Sequence, residues 1–373
     1  MTNPPPPGWQ HPHTGPQNPF GEEQPQYGFP QTPPPAGWGP PQTRRKNKAP
    51  KFLLIGAAIL SVIAVSVGAT LLLTGNSDDI PKRVPNGSVS DIASAEDTGP
   101  VTVITEDPTC APWRPIASTI AKQQKQGWAD RDPAIPATSW TPEQQKMYQE
   151  AAAAMLTAAD QAVPLAKMTP HRVMRELYEQ SIAYWRAYAN SIKSYEPSDN
   201  YLAQVSVNTA SAIVSICGTI ENQAAQARGP LVTEQPAPLP AELNDPADPA
   251  TFLNAPEPSV CSSWTQISNR FDIDTKAWRE GDLTQEVSEW SPERRSVMNE
   301  AASTISEYAN SIELLGRQSA NAVFADFATL AAQYWRAYVV AFPSYTSKDG
   351  YLAEVASYAN FIIFNACASV SSS

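Results

Sequence analysis

The sequence is poor in the residues from which most catalytic and metal sites are built. It contains three histidines, and only His171 lies beyond residue 13. Gly-x-Ser-x-Gly, His-Glu-x-x-His, P-loop and Cys-x-x-Cys motifs are absent from it. The acids Glu143 and Glu293 recur at predicted helix starts, where the helix dipole favours negative charge. We therefore predict that the protein is not an enzyme and that it binds no metal and no cofactor.

Basic clusters are also missing from most of the chain. The net charge is −11, although residues 1–51 carry five Lys or Arg and only two acids. The rest of the chain is therefore more acidic than the whole. Nucleic-acid binding needs clusters of Lys and Arg to neutralise phosphates. The sequence consequently predicts no nucleic-acid partner.

Proline, in contrast, is abundant outside the predicted domains. Of the 37 prolines, 14 lie within residues 1–42, where Glu22 and Glu23 are the only charged side chains. Such a segment buries too little apolar surface to offset the entropy of ordering, so residues 1–51 are predicted to be a disordered tail. Residues 75–108 are predicted to be a polar linker, and residues 221–259 a Pro-rich linker with extended backbone.

Residues 52–74 form a run of 23 residues without a charged side chain. A helix of this length crosses a hydrocarbon layer of about 30 Å. A cleaved signal peptide is disfavoured because 51 residues precede the run. Five basic residues just before it place the tail in the cytoplasm. We therefore predict a single-pass plasma-membrane protein with residues 75–373 extracytoplasmic.

One face of this span carries small side chains. Small residues at helical spacing let two spans pack closely. They suggest a homodimer contact through Ala57, Ser61, Ala64 and Gly68.

The second half of the chain repeats the first half at an offset of about 150 residues. The pentapeptide Tyr-Trp-Arg-Ala-Tyr at residues 184–188 returns at residues 334–338. This period is too long for a solenoid, so each copy is expected to be a domain. The two domains are placed at residues 109–220 and 260–370.

Each repeat has the composition of a helical bundle, with long stretches that lack glycine and proline. Thr141 and Ser291 precede prolines and are predicted helix caps. Asp199 and Asp349 are predicted to cap the last helix of each copy. The predicted fold class is all-α, with four helices per repeat at 110–128, 142–165, 170–195 and 199–218, and at 261–279, 292–316, 319–342 and 349–368.

All four cysteines follow the predicted span, two in each repeat, which favours disulfides in an exported region. We favour Cys110–Cys217 with Cys261–Cys367, because an up-down-up-down bundle brings the start of its first helix and the end of its last helix together. The pairing 110–261 with 217–367 also treats the copies alike and stays open.

The shared pentapeptide suggests a candidate ligand or partner surface formed by Trp185, Arg186, Trp335 and Arg336. Aromatic side chains could line a groove there, and the arginines could meet an anionic group. The alternative is structural, because large aromatic side chains at helical spacing usually build a core, with the arginine on the solvated face.

The Pro/Gly/Gln/Trp tail, the basic stretch Arg44-Arg45-Lys46-Asn47-Lys48 and the alanine-rich region with paired cysteines give the chain a familiar layout. It resembles the proline-rich, single-pass envelope proteins of actinobacteria, of the mycobacterial type, most of which have no assigned activity. The resemblance implies a plasma membrane that faces a thick cell wall.

These features predict a non-enzymatic, membrane-anchored protein that binds or scaffolds an unknown envelope protein or cell-wall component. One alternative is a single-pass sensor that relays an outer ligand to a cytoplasmic partner through the Pro-rich tail. Another is a cell-wall enzyme or hydrolase accessory, for which His171, Glu143 and Glu293 would be the residues to test.

Overall fold

The computed structural model describes residues 91–236, 242–255 and 257–371. Three predictions lie outside these residues: the Pro-rich tail, the membrane span at 52–74, and the contact through Ala57, Ser61, Ala64 and Gly68. Residues 75–90 of the first predicted linker lie outside them as well.

The described residues form ten helices and no strand, which confirms the all-α fold class. Four long helices make each repeat, and short helices follow the first bundle and the first helix of the second. The first repeat contains α1 (Cys110–Gln124), α2 (Pro142–Met168), α3 (Arg172–Ser191), α4 (Asn200–Glu221) and α5 (Ala224–Arg228). The second contains α6 (Pro258–Asp274), α7 (Lys276–Arg279), α8 (Pro292–Gln318), α9 (Ala322–Ala341) and α10 (Gly350–Ser371).

The helix starts follow the local sequence, except before the last helix of each repeat. The Thr141 hydroxyl accepts a hydrogen bond from the Gln144 backbone, and the Ser291 hydroxyl accepts one from the Arg294 backbone. The prediction that Asp199 caps α4 was wrong, since α4 has no side-chain cap. Asp199 instead accepts from the Glu196 N–H at 2.9 Å, which closes the short 3-10 turn before α4. Asp349 likewise accepts from the Thr346 N–H at 2.9 Å and closes the 3-10 turn before α10.

Two disulfides close the bundles, Cys110–Cys217 and Cys261–Cys367, with Cα–Cα distances of 5.4 and 5.5 Å. This is the favoured pairing, and no described cysteine is free. Each bond joins the first helix of its bundle to the last. Closing a loop of this length stabilises a bundle by about 4–5 kcal/mol in the chain-entropy model.

Matched hydrogen bonds join the segment after the first helix to the third long helix in both copies. The Trp128 indole donates to the Tyr188 hydroxyl at 3.0 Å, and the Trp278 indole donates to the Tyr338 hydroxyl at 3.1 Å. All four side chains are buried. The last tyrosine of each pentapeptide therefore satisfies a buried indole, as a polar group in a core requires.

The last helices of the two bundles, α4 and α10, pack along each other. Ser215 near the end of α4 donates to Glu354 near the start of α10 at 2.8 Å. One turn further along α4, a Cβ added at Gly218 would lie 2.7 Å from the ring of Tyr351. The helices are therefore antiparallel and in close contact. The described residues of both repeats belong to one compact unit.

The stretch Pro197–Glu221, which includes α4, is apolar and long enough to cross a membrane by length and composition. However, 67% of its most apolar window is buried inside the protein. Its contact with α10 accounts for this apolar character. Among the described residues it is the one helix that meets those criteria.

Candidate functional site

The structure places Trp185 and Trp335 in the cores of the two bundles, where each side chain is 1% exposed. Trp185 stacks against Trp113 with ring centroids 6.2 Å apart. Trp335 meets Trp278 edge to face at 5.9 Å. Such aromatic pairs contribute to core packing beyond their buried area.

Arg186 and Arg336 lie on the outer faces of α3 and α9, and both are already paired. Arg186 binds Asp160 at 2.9 Å and the Ala247 carbonyl at 2.7 Å. Arg336 binds the Glu313 carboxylate at 2.6 Å. The indole rings are thus buried while the guanidinium groups are partly exposed, and the four predicted residues do not combine into one exposed surface.

Extended segments that precede each repeat cross to the other repeat. The Ile104 N–H, before the first bundle, donates to the Tyr334 hydroxyl of the second bundle at 3.1 Å. In the matching place, the ring of Phe252, before the second bundle, lies 6.2 Å from the ring of Tyr184 in the first bundle. The first tyrosine of each pentapeptide therefore contacts the segment that precedes the other repeat.

A buried ion pair joins the two repeats next to this crossing. The Arg172 guanidinium at the start of α3 donates to both carboxylate oxygens of Asp326 on α9, at 2.7 and 3.2 Å. Both residues are almost fully buried. Bidentate geometry of this kind is the strongest form of such a pair.

Arg172 also fixes the segment that enters the first repeat. Its backbone N–H donates to the Asp97 carboxylate at 2.7 Å, and its guanidinium donates to the carbonyls of Asp97 and Gly99. One side chain thus connects the entering segment, α3 and α9. The carboxylate of Asp97 supplies the cap that His171, the residue before α3, does not provide.

Asp326 shares its surroundings with a second buried carboxyl group, that of Glu176. Burial and the neighbouring Asp326 charge raise the pKa of Glu176 well above its ordinary value. Burial also raises the pKa of Asp326, and the Arg172 guanidinium opposes this change. We therefore assign the proton of this pair to Glu176, which keeps Asp326 charged against Arg172.

A third buried acid, Glu179, lies one turn further along α3. Burial raises its pKa to about 7, while Arg175 lowers it. The Nε atom of Arg175 is 3.6 Å from Glu179, and its Nη2 atom is 3.8 Å from Glu176. Arg175 therefore divides its charge between two carboxyl groups. We refer to Arg172, Arg175, Glu176, Glu179 and Asp326 as the junction cluster.

A cavity of about 290 Å³ opens beside the junction cluster, and we call it the junction cleft. Its walls come from α3, from the segment between the repeats and from the first turn of α9. The Gln180 side chain donates to the Ala250 carbonyl and accepts from the Phe252 N–H, at 3.1 and 2.8 Å. Asn321 donates to the Phe252 carbonyl. The lining residues are Glu179, Gln180, Glu242, Asn244, Pro249, Ala250, Thr251, Phe252, Asn321, Ala322 and Val323.

Sequence reasoning missed the junction cluster because charged helix residues are normally solvated. A signal was nevertheless present in the comparison of the copies. The buried face of α3 carries four charges, whereas the matching face of α9 carries one. The residue pairs are Arg172 and Ala322, Arg175 and Ala325, Glu176 and Asp326, and Glu179 and Thr329.

Within residues 91–236, 242–255 and 257–371, no group of His, Cys, Asp and Glu has the arrangement of a metal site. The buried acids Glu176, Glu179 and Asp326 lie instead beside the buried guanidinium groups of Arg172 and Arg175.

The family described as mycobacterial ESX-1 associated protein matches residues 92–371 of this chain. An uncharacterised protein of Mycolicibacterium smegmatis strain MKD8 is 45% identical over 361 residues, which cover 95% of this chain and 92% of that protein. No solved structure matches the chain. The family match covers both repeats and begins within the segment that enters the first one.

Proposed function

This chain belongs to the family of mycobacterial ESX-1 associated proteins, and from that premise we propose that it is a membrane-anchored binding or scaffolding protein of the cell envelope. Its partner in this proposal is a component of the ESX-1 secretion system. The protein holds that partner on the outer side of the plasma membrane and carries out no reaction on it.

The observation that carries this proposal is the joining of two bundles into one unit. Scaffolds need a stable surface, and here two disulfides, the α4–α10 contact and the Arg172–Asp326 pair restrain the described part of the chain. The crossing segments at Tyr184 and Tyr334 add contacts between the repeats. Such restraint reduces the entropy lost when a partner binds.

The disulfides also support the proposed topology. Bonds of this kind persist in oxidising compartments, so a bundle closed by one suits the outer side of the membrane. In the proposal, residues 52–74 anchor the chain and residues 75–373 face the envelope. The outer faces around Arg186 and Arg336 are the proposed contact regions, since each carries an arginine at the same place in its bundle.

Cross-linking in living cells tests the function. The full-length tagged chain is expressed in a mycobacterium with ESX-1 and in the same strain with the ESX-1 genes deleted. We expect a cross-linked complex in the first strain and its loss in the second. A chain reduced to residues 1–108, which keeps the tail and span, is the control and should form no complex. The same cross-linked species in both strains would reject an ESX-1 partner.

A further inference from the structure

The lining of the junction cleft offers acceptors and negative charge. Glu179 and Glu242 both contribute carboxyl groups, and no Lys, Arg or His is among the described lining residues. The amide groups of Gln180 and Asn321 are engaged with the backbone of the segment between the repeats. A ligand that fits these groups must therefore bring hydrogen-bond donors and positive charge.

Glu179 is the unusual member of this lining. Its side chain faces the cleft although the residue is only 5% exposed, and its Oε1 atom has no hydrogen-bond partner. The Arg175 Nε atom, at 3.6 Å, is beyond hydrogen-bond length. A buried acceptor without a partner is costly. The second repeat folds with Thr329 at the matching position, so the bundle itself does not require an acid there.

We propose that the junction cleft binds a primary ammonium group on a short alkyl chain. An ammonium group is compact and carries three donors, which suits two carboxyl groups that lack donors of their own. A volume of about 290 Å³ lies at the lower end of the range of volumes that small-molecule sites have. It accommodates one small amine or one lysine side chain of a partner.

The positive end of the α9 dipole repels a cation in the cleft, so the negative charge of Glu179 and Glu242 must exceed it. Ala322 and Val323 belong to its first turn and line the cleft. The positive end of a helix dipole is equivalent to roughly half a unit charge. Two ionised carboxylates outweigh the combined positive charge of the helix end and the Arg175 guanidinium. A single carboxylate does not. The geometry therefore requires both Glu179 and Glu242 for the site.

Binding should depend on pH through Glu179. The charged groups around it are Arg175 and Glu176 on its own helix, Glu242 on the facing segment, and the start of α9. Its pKa of about 7, raised by burial against the effect of Arg175, leaves it partly protonated at neutral pH. Because an ammonium ligand favours the carboxylate, its affinity should increase from about pH 6 to about pH 8.

Saturation-transfer NMR on the purified full-length chain in a non-ionic detergent tests the site. The probe is Nα-acetyl-lysine amide, and Nα,Nε-diacetyl-lysine amide is the matched compound without the charge. We expect saturable binding of the first and none of the second. Glu179→Gln and Glu242→Gln should each weaken binding by about tenfold. Glu143→Gln, an exposed acid at the start of α2, should leave it unchanged.

The outcomes separate the possibilities. Equal affinity for both compounds, no saturable binding of the charged compound, or full affinity in Glu242→Gln would each overturn the site. Glu242 is exposed, so that variant remains informative if Glu179→Gln does not fold. If a lysine-containing peptide binds more tightly than Nα-acetyl-lysine amide, the natural ligand is a lysine side chain of a partner protein. If the two bind with equal affinity, the natural ligand is a small amine. Failure here leaves the ESX-1 cross-linking result untouched, since it uses a different readout.

Discussion

At the scale of single residues, Arg172 and Asp326 form a buried ion pair between the two repeats. Both groups are buried from solvent. Removing one partner is costly because the charge of the other stays buried without a counter-charge. We expect Asp326→Asn to lower the free energy of unfolding by about 3–5 kcal/mol. Urea denaturation followed by circular dichroism measures this.

The matched control for that variant is Asp274→Asn. Asp274 pairs with Arg270 on the surface of the same repeat, and the Arg270 side chain is 76% exposed. Exposed pairs contribute about 0–1 kcal/mol. Equal effects of the two substitutions would contradict the assigned importance of the buried pair.

Glu179 gives the junction a pH dependence of defined sign. Its pKa is raised from 4.5 to about 7 in the folded protein, so the folded state binds a proton more tightly than the unfolded state. Its contribution to stability is complete below the unfolded pKa and is lost as the pH rises through about 7. Glu176 acts in the same direction, because its pKa is also raised.

Glu179→Gln is neutral at every pH and should remove this dependence. Between about pH 5 and pH 8, we expect the wild type to lose on the order of 2–3 kcal/mol relative to Glu179→Gln. Denaturation of both proteins at each pH measures the difference, with Glu143→Gln as the exposed control. A constant difference between wild type and variant across this range would show that Glu179 titrates normally in the folded state.

At the scale of helices, a close approach of α8 and α9 depends on a glycine. A Cβ added at Gly316 would lie 2.5 Å from the Cβ of Ala328, which cannot rotate away. We expect Gly316→Ala to cost about 1–3 kcal/mol. The comparison is Gly350→Ala at the start of α10, where the new Cβ would lie 3.6 Å from the Tyr345 hydroxyl. That variant should be neutral or more stable by up to about 1 kcal/mol.

Thermal and urea unfolding of the two glycine variants decides the point. If Gly316→Ala is as stable as Gly350→Ala, α8 and α9 do not approach each other closely at Gly316 and Ala328.

Much of the helical architecture is predictable because its signals are local. Thr141 and Ser291 begin α2 and α8 by hydrogen bonds within one turn, so their sequence context is sufficient. Asp199 shows the limit of this reasoning. An aspartate between two turns can accept from either side, and here the preceding 3-10 turn takes its carboxylate.

The site is less predictable, because its residues act across the repeat junction. Arg172 and Asp326 are 154 residues apart in sequence and belong to different bundles. Helical periodicity describes one helix at a time and does not indicate which face meets another bundle. The pentapeptide recurs in both repeats, and its tryptophans are buried in both cores.

At the scale of the whole molecule, the two repeats are connected by the chain between them but by no disulfide. Both disulfides lie within repeats. The union therefore rests on the α4–α10 contact, the crossing segments and the junction cluster. Duplication alone, as read from the sequence, predicts two domains and leaves open whether they touch.

The most direct test is to cut the chain between the repeats. A protease site placed within residues 237–241 of the full-length protein, followed by complete cleavage under non-reducing conditions, yields two halves, and only the first retains residues 52–74. If buried contacts unite the repeats, the second half remains bound when the first is captured by an N-terminal tag, and both elute together in size-exclusion chromatography. Release of a folded second half as a separate species would contradict the account.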